Sequence, residues 1–439
     1  MKQFTQNLLF LSLALLFVLP ESANALPGFA RQTGQNCMTC HTQNMPKLNN
    51  TGRNFALSGY TLYDATNKAQ ALIEGSDVVL GLPSTLNVSA VLKARYIKSS
   101  RKLDVNSTDI VGIERGELQV LQGSGLYFGG RFADNVGGII SLTGDSAEEN
   151  DVVFGGKGVL SYPAFNGYTG FSLYSTQING VFSGMENYNT GLNAPLKQFE
   201  NANGTNAAQA TGIGRGPATG LQLYYGDSRF FITAGATVPS QNNEGIDAGG
   251  SLLPFGRIAY NQPIGEWNIM LGAFGLSGDV KASDQSLNGG LIDNGANLVE
   301  VHREGYGFDL EASGSIAGMM TMTTVNLVIK NTVSSTPAGL LTNPNLQKTD
   351  NEAGSFEFQI NPIVPLGVKA AYLNYKNNDN TISSHQFVEA YDFEAYSFGL
   401  NYLLRQNIIL DLEYSYNNPQ PDTSIDDFYD LYVSATLAF

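Results

Sequence analysis

The sequence predicts an all-β fold, a transmembrane β-barrel of about sixteen antiparallel strands. Three observations favour it: apolar and polar residues alternate along many short segments, the connections between them alternate between short and long, and the last segment ends on Phe439. Charged residues make up 14% of the chain, against roughly a quarter in soluble proteins. Past residue 25 no apolar run approaches the roughly 18–20 residues of a membrane helix.

The alternation has a period of two residues, which is typical of strands with one apolar and one polar face. Segment 86–96 carries apolar residues on one parity and places Lys93 and Arg95 on the other, and segments 356–361 and 410–416 repeat the pattern. A soluble β-sandwich would alternate in the same way, so the pattern alone leaves that alternative open. We predict strands at 84–98, 114–132, 136–146, 151–161, 166–176, 219–225, 228–237, 254–262, 265–278, 297–313, 315–331, 354–362, 366–376, 387–403, 407–416 and 428–439.

Loop lengths favour the membrane barrel over the sandwich. Connections after even-numbered strands are short, whereas those after odd-numbered strands are mostly long, as at 99–113, 177–218, 238–253, 279–296 and 332–353. Bacterial barrels have short periplasmic turns and long external loops. The loop pattern therefore predicts an outer-membrane protein with both termini in the periplasm, and the final strand resembles the assembly signal of such barrels.

Residues 1–25 have the pattern of an export signal. Lys2 supplies a positive charge, residues 8–19 are almost wholly apolar, and residues 23–25 form a small-x-small cleavage pattern. An apolar run of about a dozen residues is short for a membrane anchor, which is the alternative. We therefore predict a signal peptide at 1–25 and a mature chain that starts at Leu26.

One motif carries chemistry. Cys37, Cys40 and His41 form the C-x-x-C-H pattern of c-type haem attachment. Two cysteines three positions apart on a helical turn lie on one side, where each can form a thioether to a haem vinyl group, and His41 then faces the iron as its proximal ligand. We predict one covalent haem c held by these three residues. As candidates for the second axial ligand, His302 and His385 are better explained as surface residues.

The same motif occurs in thioredoxin-like redox pairs and in zinc sites. A redox pair would be expected in a βαβ setting, which this sequence does not show. A structural zinc site needs further ligands nearby, and the next Cys or His after His41 is His302. Both alternatives are therefore less favoured than haem attachment.

The composition excludes several classes of function. The net charge of −15 argues against nucleic-acid binding, which needs a basic face. Two cysteines cannot form a disulfide scaffold. The three histidines, at 41, 302 and 385, do not allow a Ser-His-Asp or metal triad to be assembled, so we predict no catalytic side chain.

Residues 26–78 are predicted to form a monohaem cytochrome segment, and residues 79–439 the barrel. Prolines and glycines break the first part into short pieces. So short a segment lacks a large core of its own. We therefore expect it to enter the barrel lumen from the periplasmic side and bury against the wall as a plug.

Further residues of this segment match a known pattern. These are the run 26–34, the C-x-x-C-H motif, Pro46, Leu48, Gly52-Arg53, Phe55 and Gly59-Tyr60. Together they resemble the fused monohaem cytochrome–porin family of the outer membrane of iron-oxidising bacteria. The motifs cover residues 26–60, the barrel is similar by architecture, and Ala56 stands where the family pattern has a basic residue.

The resemblance implies an outer-membrane cytochrome that passes single electrons between an extracellular redox donor or acceptor and a periplasmic electron carrier. Iron(II) is the expected donor, and the carrier would be a cytochrome or a copper protein. Such a protein is an electron carrier or an iron(II)-oxidising oxidoreductase. Two alternatives stay open: a diffusion porin that the haem segment gates or plugs, and a haem sensor or peroxidase.

Overall fold

The computed structural model describes residues 27–42, 47–62, 87–101, 116–145, 151–176, 180–184, 192, 198–199, 206–214, 216–238, 252–283, 298–335, 349–378, 392–405, 407–419 and 426–439. The predicted signal peptide at 1–25 and the boundary between residues 78 and 79 lie outside these ranges, as does His385.

Three short helices come first: α1 (Pro27–Thr33), α2 (Cys37–Cys40) and α3 (Asn50–Leu57). The second and third begin at asparagine caps, Asn36 and Asn49, whose side chains accept hydrogen bonds from backbone N–H groups of the first turn. No helix within the described ranges is long and apolar enough to cross a membrane.

Sixteen strands follow, and they account for most of the residues that the structure describes. They are β1 (Val88–Ser99), β2 (Glu117–Val120 and Gly125–Ala133), β3 (Val136–Asp145), β4 (Asp151–Ala164), β5 (Gly167–Thr176), β6 (Ala218–Gly226), β7 (Phe230–Val238), β8 (Leu253–Ile264), β9 (Trp267–Ser283), β10 (Leu298–Ile316), β11 (Met319–Ser335), β12 (Thr349–Ile363), β13 (Leu366–Asn377), β14 (Phe393–Arg405), β15 (Ile408–Pro419) and β16 (Phe428–Ala438).

The strands form one closed antiparallel sheet. Each pairs with its neighbours in sequence, and β16 pairs with β1 in a register that runs from Val91–Ala438 to Ser99–Asp430. The second strand is interrupted at residues 121–124, and both of its pieces pair with β1. Closure removes the unpaired sheet edges. This barrel confirms the predicted fold class, and each strand overlaps a predicted one.

Successive side chains give the barrel two different faces. On β11, Leu327 is 47% exposed on the outer surface, whereas its neighbour Asn326 is fully buried on the inner one. On β14, Phe398 is 63% exposed and Ser397 is fully buried. The outer surface is therefore apolar, and many polar side chains point into the barrel, as the period-two pattern predicted.

At one end of the barrel the strands are joined by short turns. Ala317 and Gly318 connect β10 to β11 with φ angles of 52° and 79°. Positive φ at both positions gives the two-residue turn whose twist matches that of the flanking strands. Glycine adopts this conformation without the steric cost that alanine carries. The short connections fall where the sequence predicts periplasmic turns.

Part of the connection between β5 and β6 folds into the barrel. The described residues here (180–184, 192, 198–199 and 206–214) are called the lumenal insert, and they include α4 (Ala207–Ala210). Their apolar side chains pack on apolar inner-face residues of the strands. The resulting core includes Val181, Phe182, Leu192, Ile213, Phe255, Phe274, Val301, Leu373 and Tyr375. The prediction of an external loop over 177–218 is therefore wrong for these residues, because the wall offers an apolar surface that buries them.

Candidate haem-attachment site in the barrel lumen

Residues 27–42 and 47–62, called the N-terminal segment, lie inside the barrel. The backbone N–H of Gly28 donates to Oγ of Ser89 on β1 at 2.9 Å. The Nζ of Lys47 donates to Oγ1 of Thr324 on β11 at 2.8 Å. Because β1 and β11 are well separated around the closed sheet, contacts with both place the segment within the lumen.

Helix α3 is fixed to the wall at its end and in its middle. The hydroxyl groups of Ser161 on β4 and Tyr224 on β6 both donate to the backbone oxygen of Leu57 at 2.8 Å. These bonds satisfy a carbonyl that the end of a helix leaves without an intrahelical partner. In the middle of the helix, Arg53 forms an ion pair with Glu311 on β10.

An aromatic cluster joins helix α1 to helix α3 and to the residues directly after α3. Phe29 stacks on Tyr60 with ring centroids 5.4 Å apart, and the edge of Phe55 contacts both rings at 5.1 and 5.6 Å. The cluster packs on wall residues that include Val159 and Phe231. The aromatic positions of the family pattern therefore form the core that joins the segment to the barrel.

The C-x-x-C-H motif occupies α2 and the residue after it. The backbone N–H of His41 donates to the oxygen of Cys37 at 2.9 Å, which closes the helical turn. Residues three apart on a helical turn are neighbours, and no disulfide joins Cys37 to Cys40. The structure therefore brings the three predicted haem ligands together on one turn.

Cys40 and His41 are half-buried, whereas Cys37 is buried. Burial raises the pKa of the Cys40 thiol, and the neighbouring Cys37 raises it further. The neutral thiol is therefore favoured over the thiolate at neutral pH.

The chain reverses direction directly after the motif. His41 has extended backbone and forms a β-bridge with Leu48, and the N–H of Thr42 donates to the oxygen of Lys47 at 2.9 Å. Two thiols on one turn and an imidazole beside them are the groups that attach a c-type haem, the thiols through thioethers to its vinyl groups and the imidazole through the iron. The side chains of Cys40 and His41 are partly exposed and therefore accessible to a haem. The residues present thus fit a c-type haem.

The position of Gly52 has no room for a side chain. A Cβ atom at this position would lie 2.1 Å from the backbone oxygen of Cys40, so a larger residue would push α2 and α3 apart. Ala56, which stands where the family pattern has a basic residue, is buried with 1% of its surface exposed. A long charged side chain there would require this contact with the wall to rearrange.

The lumenal insert is held by a buried lysine. The Nζ of Lys369 on β13 donates to the backbone oxygen of Gln198 at 3.2 Å and to Oε1 of Glu413 at 2.6 Å. It also lies 4.8 Å from the ring centroid of Phe199. Lys369 therefore neutralises the buried carboxylate of Glu413 and also holds the lumenal insert against the wall.

The remaining residues considered from the sequence lie away from the motif. The side chain of His302 is 42% exposed, and its Nδ1 lies 2.7 Å from Oδ1 of Asp279, as expected of a surface histidine. Lys93 lies near the ring of Tyr432, and Arg95 donates to Gln119. In the part of the chain that the structure describes, no group of three His, Cys, Asp or Glu side chains is placed to hold a metal ion.

Sequence reasoning did not identify Lys47, Asn49 or Glu311 as parts of this site. Lys47 and Asn49 follow the motif closely, and an asparagine before a possible helix is a cap signal that sequence alone offers. Glu311 gives no such signal, because it is one of many polar residues on alternating strand positions.

Comparisons with known proteins found structural neighbours only. No protein-family model matches the sequence, and no curated protein matches it. Among solved structures, a loop-deleted OmpT, an outer-membrane protein of Vibrio cholerae, is 12% identical with a TM-score of 0.48, covering 81% of this chain and 99% of that one. The outer-membrane channel DcaP of Acinetobacter baumannii is 12% identical with a TM-score of 0.47, covering 81% and 97%. An anion-selective porin from Comamonas acidovorans is 12% identical with a TM-score of 0.46, covering 81% and 99%.

Proposed function

We propose that this chain is an outer-membrane β-barrel whose lumen carries a covalent haem c, and that it passes single electrons between the outside of the cell and a periplasmic carrier. The apolar outer surface of the closed barrel supports lipid contact, because exposure of so large an apolar surface to water is unfavourable. With the short turns assigned to the periplasm, both termini would lie there. In this proposal residues 1–25 are the signal peptide, 26–78 the haem segment and 79–439 the barrel.

Cys37, Cys40 and His41 would hold the haem, the cysteines through thioethers and His41 through the iron. When bound, the haem supplies a one-electron iron couple. The chain's own residues orient and shelter it. The buried cluster of Phe29, Phe55 and Tyr60 excludes water on one side of the segment. Electron transfer of this kind needs no acid–base or nucleophilic side chain.

The burial of two stretches of chain inside the barrel is the observation that carries the proposal. The N-terminal segment and the lumenal insert both bury side chains against the inner wall, and around the insert that core is apolar. A diffusion channel needs a water-filled path with polar walls. Segments packed inside the lumen narrow that path, and they suit a barrel that acts as an insulating wall around a redox group. Iron(II) enters as the donor by the family resemblance, and a cytochrome or copper protein as the periplasmic acceptor.

The test is a redox titration of the purified protein. We expect a c-type haem spectrum, reduction of the haem by iron(II), and its reoxidation by a soluble periplasmic cytochrome or copper protein. The matched control is the Cys37→Ala, Cys40→Ala double variant in the same detergent. A haem that none of these donors or acceptors reduces or oxidises would contradict the proposal.

A specific observation also favours a second candidate, a porin that the N-terminal segment gates. The segment contacts the wall partly through polar groups, such as Lys47 with Thr324 and Arg53 with Glu311. If the segment moves outward, water can take over the hydrogen bonds of these polar groups. Free solute flux through the wild-type protein in liposomes would favour this candidate over electron transfer.

A further inference from the structure

Asn49 donates hydrogen bonds to most of the backbone carbonyl groups of the C-x-x-C-H motif. Its side-chain Nδ2 donates to the backbone oxygens of Met38, Thr39 and His41 at 3.3, 3.0 and 3.2 Å. Its own backbone N–H donates to the oxygen of Cys40 at 3.0 Å. Four consecutive carbonyl groups of the motif therefore accept hydrogen bonds from one residue.

The same residue begins helix α3. Its Oδ1 accepts hydrogen bonds from the N–H groups of Thr51 and Gly52 at 2.9 and 3.1 Å. The amide thus faces two ways, with its donors toward the motif and its acceptor toward the helix. Only an asparagine side chain of this length offers a donor and an acceptor in this arrangement, because an aspartate cannot donate.

Helix α3 is itself fixed to the barrel. Its end is held where Ser161 and Tyr224 donate to Leu57, and its middle by the ion pair of Arg53 with Glu311. A continuous series of contacts therefore runs from the barrel wall through α3 and Asn49 to the motif. The close approach of Gly52 to the oxygen of Cys40 adds a second contact between the helix and the motif.

From these contacts we infer that Asn49 is a positioning residue, which fixes the backbone of residues 38–41 and so sets the direction in which His41 meets the haem iron. This inference rests on the proposed haem attachment and deepens it. Groups that orient a metal ligand without touching the metal typically contribute about 10–100-fold to metal affinity. Asn49 would not touch the iron; it acts on the backbone of His41, whose imidazole would bind the iron.

The test compares Asn49→Asp with Asn36→Asp in the full-length protein. Both changes add one negative charge beside the motif and keep a capping acceptor. Asn36 is exposed, and its side chain only accepts, from the N–H and the hydroxyl of Thr39. The measurements are covalent haem staining after denaturing electrophoresis, the iron–histidine band in the resonance Raman spectrum of the ferrous protein, and displacement of His41 by added imidazole.

We expect Asn49→Asp to keep its covalent haem, to shift the iron–histidine band, and to lower the imidazole concentration for half-displacement roughly 10–100-fold. Asn36→Asp should match the wild type in all three measurements. Unchanged ligation in Asn49→Asp would overturn the inference, and so would an equal change in both variants, which would assign the effect to charge.

A second variant covers the case in which Asn49→Asp does not assemble. The added methyl group of Gly52→Ala would press on the backbone oxygen of Cys40 from helix α3. We therefore expect this variant to shift the same iron–histidine band although Asn49 is intact. An unshifted band would overturn the inference. Absence of covalent haem from the wild-type protein is a separate outcome, which overturns the proposed function and this inference with it.

Discussion

Arg53 of the N-terminal segment and Glu311 of β10 form an ion pair inside the barrel, with only 7% and 3% of their side chains exposed. The pair joins two parts of the chain that are 258 residues apart in sequence. Removal of one partner from such a buried pair leaves an uncompensated charge, which typically costs about 3–5 kcal/mol. The pair therefore holds the N-terminal segment against the wall.

The first prediction concerns this pair. Arg53→Met should weaken the attachment of residues 27–62 by about 3–5 kcal/mol, because Glu311 loses its cation while it stays buried. Limited proteolysis of the folded protein in detergent should then cleave the segment faster than in the wild type, while the barrel itself stays resistant.

The matched control for this prediction is Asp309→Asn. It breaks the equally buried pair of Arg257 and Asp309, which joins β8 to β10 within the wall. We expect Asp309→Asn to lower the unfolding temperature of the barrel without selective cleavage of the segment. Equal cleavage of residues 27–62 in both variants would show that the Arg53–Glu311 pair has no special role in holding the segment.

The second prediction concerns haem attachment. Cys37→Ala or Cys40→Ala should each leave one thioether and reduce the haem that remains bound after denaturing electrophoresis, and the double variant should lose it. A double variant that still stains as a covalent haem protein would disprove the assignment of these residues. The unheated mobility of the folded barrel provides a control, since neither cysteine lies in a strand.

The fold was predictable because its signals are local. Inner and outer faces alternate with a period of two residues over most of each strand, as at Asn326 and Leu327, and each strand repeats that pattern independently of the others. The C-x-x-C-H motif is local as well, because a single helical turn contains Cys37 and Cys40. Neither signal requires knowledge of contacts between distant parts of the chain.

The interior of the barrel was not predictable in the same way. The partners of Arg53 and Lys369 lie 258 and 44 residues away, and sequence spacing alone does not indicate which polar residues meet. The lumenal insert is a long loop by sequence, and only the apolar inner wall, with residues such as Phe255 and Phe274, explains why it folds inward. Asn49 is a helix cap by sequence, whereas its contacts with the motif follow from the reversal of the chain after His41.

The third prediction concerns pH and the turn between β6 and β7. Oδ1 of Asp227 accepts hydrogen bonds from the N–H groups of Arg229 and Phe230 at 2.8 and 2.7 Å. Burial alone would raise the pKa of Asp227, but these bonds and that from Tyr225 outweigh it and lower the pKa below its ordinary value. A lowered pKa means that the charged form stabilises the fold above about pH 4, and that this stabilisation is lost as pH falls further.

The corresponding measurement is the unfolding temperature of the wild type and of Asp227→Asn between about pH 3 and pH 6. The wild type should lose its advantage over the variant as the pH falls through the lower part of this range. Tyr260→Phe, which removes an exposed hydroxyl from β8, serves as a neutral control. A constant difference between the wild type and Asp227→Asn at every pH would contradict the prediction.

The last prediction concerns whether the N-terminal segment blocks the barrel lumen. Wild-type protein in liposomes should admit small sugars very slowly, because the N-terminal segment and the lumenal insert both fill the lumen with buried side chains. Deletion of residues 27–62 removes one of the two stretches of chain inside the lumen. It exposes polar inner-face residues whose partners lie in the segment, such as Ser161, Glu311 and Thr324. Water should enter that space, and sugar flux should rise clearly above that of the wild type.

The sugar flux through Arg53→Met should fall between those of the wild type and the deletion variant, since this change loosens the segment without removing it. Fast flux through the wild type, unchanged by the deletion, would show that the segment does not block the lumen and would favour a diffusion porin.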